Sequence, residues 1–137
     1  MAKTKQITGF LVDTEADNGD LKTVIKAVTI DRTLESYYKT LHCDLIEIPT
    51  YKFGGKSFDV ICDEEGLIKG GQPVISAIDA AGKPALVGSL LIVNTNCRSL
   101  SEADIERLDK CVRQVILQNR QTGALTTRQV MQMSIEL

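Results

Sequence analysis

Hydrophobic and polar positions divide the chain into short strand-like runs and two helical stripes. Residues 5–13 and 21–30 are rich in β-branched and apolar side chains. Between them, Asp13-Thr14-Glu15-Ala16-Asp17-Asn18-Gly19-Asp20 contains an Asn-Gly pair suited to the positive φ angles of a tight turn. An opening β-hairpin is predicted. Thr33 is placed to cap a short helix, Leu34 to Leu41, in which Leu34, Tyr37, Tyr38 and Leu41 recur at helical spacing. Leu45 to Ile48, closed by Pro49, and Lys56 to Cys62, preceded by Gly54-Gly55, predict a second hairpin.

Val74 to Asp79 reads as one or two helical turns, and Ala80-Ala81-Gly82-Lys83-Pro84 as a turn. Ala85 to Val93 is nearly continuous apolar sequence, the pattern of one strand buried on both faces. Ser101, with Asp104 three residues on, forms a capping signal ahead of Ile105, Leu108, Val112 and Val115 at helical spacing. Acids in its first turn and Arg107, Lys110 and Arg113 beyond suit the helix dipole, so a long helix is predicted over about 101–119. Met131, Met133, Ile135 and Leu137 alternate with polar residues as in a strand; a helix beginning at Thr126 or Thr127 is the alternative. The predicted architecture is a single α+β domain over residues 1–137. It has a largely antiparallel sheet, one long helix and one or two short helices.

The chain's 137 residues, 43% hydrophobic and 25% charged, fit one globular domain. Sixteen basic against eighteen acidic residues leave a net charge of −2, which argues against broad nucleic-acid binding and is too mild for a DNA mimic. No apolar run approaches the ~20 residues of a membrane helix, and the start, Met1-Ala2-Lys3-Thr4-Lys5, is unlike a signal peptide. A cytoplasmic location without membrane association is predicted.

Cys43, Cys62, Cys97 and Cys111 include no Cys-x-x-Cys pair, so they are read as reduced core thiols with neither metal nor cofactor. The sole histidine, His42, adjoins Cys43; neighbouring side chains on an extended chain diverge, and a turn histidine is the reading taken. The acidic loop from Asp13 places Asn18 and Val24 where a calcium loop needs glycine and glutamate. Calcium binding is set aside.

One loop has a physical case for binding: Gly66-Leu67-Ile68-Lys69-Gly70-Gly71-Gln72-Pro73. Gly70 and Gly71 permit close backbone approach, Pro73 suits a first helical position whose free amides attract anions, and Lys69 adds charge. Lys69, Gly70, Gly71 and Gln72 are therefore candidate ligands of a phosphate-bearing molecule, with a plain turn as the alternative. Asn94, Asn96 and Arg98, just past the most apolar strand, are candidates for a second wall; their alternative role is a polar link to the Ser101 cap. No nucleophile-base arrangement accompanies them, so no catalytic residue is assigned.

The run Val60-Ile61-Cys62-Asp63-Glu64-Glu65-Gly66-Leu67-Ile68-Lys69-Gly70, with Pro73, resembles a family of unknown function, domain of unknown function 3846. Thr33-Leu34-Glu35, Leu45-Ile46-Glu47, Val87 to Val93 and the Ser101 to Ile105 helix start are similar too. The likeness covers about residues 20–117, with 118–137 as a C-terminal addition. Family members often carry asparagine shortly after the proline, where this chain has Val74-Ile75-Ser76. The resemblance implies a phage or mobile-element origin.

In that setting the leading expectation is a non-catalytic counter-defence protein that acts in the bacterial host cytoplasm. It sequesters a nucleotide-like or other phosphate-bearing signal. The alternatives are a protein–protein inhibitor or regulator of a host system and, third, a small hydrolase using Asp63, Glu64 or Glu65. A homo-oligomer is expected, joined through edge strands or the last residues, because Met131, Met133, Ile135 and Leu137 would form an apolar stripe on a short terminal strand that needs covering.

Overall fold

The computed structural model describes residues 5–17, 20–63, 75–118 and 121–134. Their chain order is β1 (Gln6–Asp17), β2 (Asp20–Asp31), α1 (Leu34–Leu41), β3 (Ile46–Glu47), β4 (Thr50–Phe53) and β5 (Lys56–Asp63). Then follow β6 (Ile75–Ile78), β7 (Pro84–Val87), β8 (Leu90–Val93), α2 (Glu102–Asp109), β9 (Val112–Gln118) and β10 (Leu125–Gln132). The first sheet runs β2-β1-β8-β5-β3, with β4 also paired to β5; the second runs β7-β6-β10-β9. Every pairing is antiparallel except β6 with β10, which is parallel.

Period-two alternation sorts the central strands of the first sheet into two cores. Phe10 and Val12, Val60 and Cys62, and Leu90 and Ile92 face one way, against Ala77, Met131 and Met133 of the second sheet and Leu108 of α2. Ile7 and Leu11, Ile61, and Leu91 and Val93 face the other way, against Tyr37 and Leu41 of α1. β8 is buried on both faces because helix covers one side and sheet the other. Thr33 caps α1 by accepting a hydrogen bond from the Ser36 amide at 3.2 Å, and His42 ends it in the left-handed conformation.

The expected α+β architecture with one long helix is overturned. The described residues are mostly β, in two sheets, and the two helices among them have eight residues each. α2 stops at Asp109 and residues 112–118 form β9, paired residue by residue with β10 from Val112↔Met131 to Gln118↔Leu125. The apolar spacing through Val115 fitted a helix, but Val112, Val115 and Ile116 are β-branched, stiff in helices and well suited to a pleated ladder. Pairing with a strand more than a turn distant in sequence decided the conformation.

Two smaller expectations also change. Residues 75–78 are strand rather than helical turn, since β6 lies between β7 and β10. The apolar run 85–93 is two strands in different sheets, because Gly88, at φ +80°, turns the chain between them. A hydrogen bond from the Ser76 hydroxyl to the Gly88 carbonyl holds that corner, and the Ser89 hydroxyl donates to Asp13 Oδ1 at 2.7 Å. The second hairpin pairs β4 with β5 around Gly54-Gly55, while Ile46 and Glu47 extend along the same edge of β5.

At the C-terminal end, residues 125–132 are strand, and Met131 and Met133 lie in the chain's own core. That burial removes the reason for expecting a partner to cover this stripe; Ile135 and Leu137 lie outside the described residues. No helix among the described residues is long and apolar enough to cross a membrane.

Candidate functional site

A cleft of about 410 Å³ opens where the two sheets meet at β4, the β6–β7 turn and the end of β10. Met133, from the buried face of the chain, forms its apolar floor, and Ala80, Ala81 and Ala85 leave room where larger side chains would fill it. Tyr51 and Lys52 stand on the β4 side. The opposite wall is pinned by Asp79, whose Oδ1 accepts from the amides of Ala81 and Lys83, each at 2.9 Å. Those two donors fix the carboxylate at the rim.

The C-terminal segment is tied to the β4–β5 hairpin: the Ser134 amide donates to the Lys52 carbonyl at 2.8 Å, and Ser134 Oγ accepts from the Gly55 amide at 3.2 Å. A second depression of about 310 Å³ shares Ala80, Met133 and Ser134 with the first and continues past Gly54 and Cys111 to Arg113. The Arg113 guanidinium is held there by bonds to Gln132 Oε1 at 3.0 Å and to the Lys110 carbonyl at 2.6 Å. The two depressions adjoin as one groove, apolar in the part that Lys52 lines and more polar in the part that Arg113 lines. A mostly apolar concavity with a few fixed polar groups is the usual form of a small-molecule site.

Of the residues singled out in sequence, none of the described ones lines the groove. Lys69, Gly70, Gly71 and Gln72 lie outside the described residues. Asn94 is structural: its backbone pairs with Arg98, its Nδ2 donates to Asp104 Oδ2 at 3.1 Å, and its Oδ1 accepts from the Thr95 amide. The 94–98 turn is fixed by Arg32, which donates to the Asn96 carbonyl, and by Asp59, which accepts from the Cys97 amide. Asn96 and Arg98 are exposed, and neither lines the groove.

The turn also leaves β8 at Val93, opposite Asp59, whereas the segment holding Lys69 leaves β5 after Asp63. Four strand residues, about 13 Å, separate those roots. The expected two walls start from opposite ends of one strand pair. Sequence reasoning missed Tyr51, Lys52, Ala85, Met133 and Ser134; the one local signal was the run of small residues at 80–82, which it read only as a turn.

Other chemistry is quiet. Burial, with the Glu47 carboxylate adding to it, pushes the Cys62 thiol up to about 12, and burial also raises Cys97 and Cys111. Thiolates are the reactive form, so burial makes these thiols less reactive than a free cysteine. Titration of the native protein with a disulfide reagent near pH 8 should label half-exposed Cys97 first and slowly, with Cys62 reacting only on unfolding. Rapid native labelling of Cys62 would contradict its burial.

A polar trough beside α1 contains Asp13 and His42, with His42 Nε2 3.6 Å from Asp13 Oδ1, too long for a hydrogen bond. Asp13 there stands between Ser89 and His42, whereas a nucleophilic relay needs the histidine in the middle. Among the described residues no group of three His, Cys, Asp or Glu side chains could hold a metal ion.

Fold and groove together define a small two-sheet β domain with an open cleft at the sheet junction. The chain belongs to the family described as Domain of unknown function (DUF3846), whose model matches residues 14–113. No curated protein matches it, and no solved structure does. The family match ends within β9, so β10, which leads directly into the groove's Met133-Ser134 side, lies beyond it in sequence while standing inside the second sheet.

Proposed function

We propose that this protein is a non-catalytic binding protein that captures a small molecule joining a flat apolar part to a phosphate-like anion. The observation that carries the reading is the continuous groove, with an apolar bed on Met133 and the alanines and with Lys52 and Arg113 on its flanks. The apolar part rests on Met133 between Tyr51 and Ala85, and the anion meets Lys52 or Arg113, which attract it and hydrogen-bond to it. Raised thiols and the misordered Ser89-Asp13-His42 set favour binding over catalysis. A wider role in counter-defence, sequestering a signal in a bacterial cytoplasm, belongs to this proposal and rests on the phage setting that the resemblance implies.

The test is a thermal-shift screen of nucleoside phosphates, cyclic nucleotides and ADP-ribose derivatives against the wild type and Ala85→Trp. A ligand at a hundred times its dissociation constant adds about 2.7 kcal/mol of stability. The indole of the variant should fill the cleft and abolish the shift, while Lys52→Ala should weaken a phosphate-bearing hit roughly ten- to hundredfold. Equal shifts in wild type and Ala85→Trp would place binding elsewhere and end this reading.

A further inference from the structure

An edge strand exposes a row of unpaired backbone donors and acceptors, and proteins commonly protect such edges with charge, proline or brevity. Among the described residues, four of the edge strands are protected. β2 carries exposed Lys26 and ends on exposed Asp31; β3 has two residues. β4 has four residues, follows Pro49 and carries Lys52, and β7 has four residues, begins at Pro84 and ends at the Gly88 corner.

β9 is different. It has seven residues, Val-Arg-Gln-Val-Ile-Leu-Gln, and its outer edge pairs with no strand among the described residues. It holds no proline, and its one charged side chain, Arg113, is drawn back onto Gln132 and the Lys110 and Val112 carbonyls. Ile116 is 71% exposed, and Leu125, on the same face of the β9–β10 hairpin, is 68% exposed.

We infer that β9 pairs with β9 of a second copy of this chain, antiparallel about a two-fold axis, joining the two four-stranded sheets into one. Full overlap of a seven-residue strand with its own copy centres on the fourth residue, Val115. That register sets Ile116 beside Gln114 of the partner subunit and Val112 beside Gln118 of the partner subunit. No like charges meet across it, because Arg113 falls opposite Leu117 of the partner subunit. An isologous contact of this kind closes at a dimer, so the edge is used up without fibre growth. A copy of the same strand is the fitting occupant because the strand is β-branched at Val112, Val115 and Ile116 and its full antiparallel overlap sets no like charges opposite each other.

Light scattering coupled to size exclusion on the full chain tests this. Wild type should elute at twice the chain mass at micromolar concentration, and its β9 amides should exchange more slowly as concentration rises. Gln114→Lys with Ile116→Lys places four ammonium groups around the two-fold axis; both side chains are exposed, so the fold is spared. The double variant should weaken the dimer at least roughly a hundredfold, since like charges set against each other across an interface are strongly disfavoured. Ile116→Lys alone, with circular dichroism as the folding check, should give an intermediate loss. A wild-type monomer across the concentration range, or a folded double variant that dimerises as wild type does, overturns the inference.

Discussion

Asp104→Ala is expected to destabilise the protein by about 2–4 kcal/mol, combining loss of a helix cap with loss of charge-assisted hydrogen bonds. Asp104 is the third residue of α2, and its carboxylate, only 5% exposed as a residue, joins three elements. Its Oδ2 accepts from the Ser101 amide at 3.0 Å and from Asn94 Nδ2 at 3.1 Å, while Oδ1 takes the Lys56 ammonium at 2.5 Å. The reciprocal bond, Asp104 amide to Ser101 Oγ at 3.1 Å, completes a capping box. The loss stays below that of a fully buried broken pair because the Lys56 side chain is 40% exposed and can return to water.

Burial works against ionising Asp104, but the Lys56 ammonium and the Ser101 amide and hydroxyl outweigh it and hold the carboxyl below its ordinary value. A carboxylate whose folded pKa is depressed stabilises the fold at pH values above its unfolded pKa, and loses that contribution as the pH falls through the folded pKa. Asp104→Asn should therefore be less stable than wild type at pH 7, with the gap closing below about pH 4. Chemical denaturation of both proteins across that range provides the check, and a gap that widens toward acid would contradict the linkage.

The second large effect is expected at Gly9, the fourth residue of β1. A Cβ there would lie 2.7 Å from Leu91 Cδ1 and 3.1 Å from the Ile92 carbonyl oxygen, inside a fully buried region of β8. The glycine is present for close approach, since Leu91 lies across its bare face. Gly9→Ala should cost about 1–3 kcal/mol through overpacking, and Gly9→Val more. The cause is separable by a double-mutant cycle: Leu91→Ala should be markedly less costly in the Gly9→Ala background than alone. Additive effects would show that strain against Leu91 is not the source.

Local signals in the sequence were enough where the structure is local. The Thr33 and Ser101 caps, the α1 limits and the opening hairpin follow from side chains acting on neighbours a few residues away. The errors lie where partners distant in sequence decide. Val112 and Val115 satisfy helical spacing as well as strand propensity, and only the ladder to Val130 and Met131 selects the strand. Ile75 to Ile78 became strand because β7 and β10 offer it hydrogen bonds on both edges. Gly88 showed a possible corner, but not that the corner carries the chain into a second sheet.

The groove was illegible for the same reason. Tyr51-Lys52, Ala80-Ala81, Ala85 and Met133-Ser134 are spread over more than eighty positions and meet only through the sheet order. Asn94 looked available because an amide at a strand end reads as a ligand group, yet Asp104 and the Arg98 backbone occupy it.

Amide chemical-shift mapping tests the binding groove most directly, using the isotope-labelled full chain titrated with the strongest nucleoside phosphate from the thermal-shift screen. The groove account predicts saturable shifts concentrated at Tyr51, Lys52, Ala80, Ala81, Met133 and Ser134, with those at Asn96 and Arg98 unchanged. Shifts concentrated at residues 69–72 or 94–98, with the groove amides still, would contradict it.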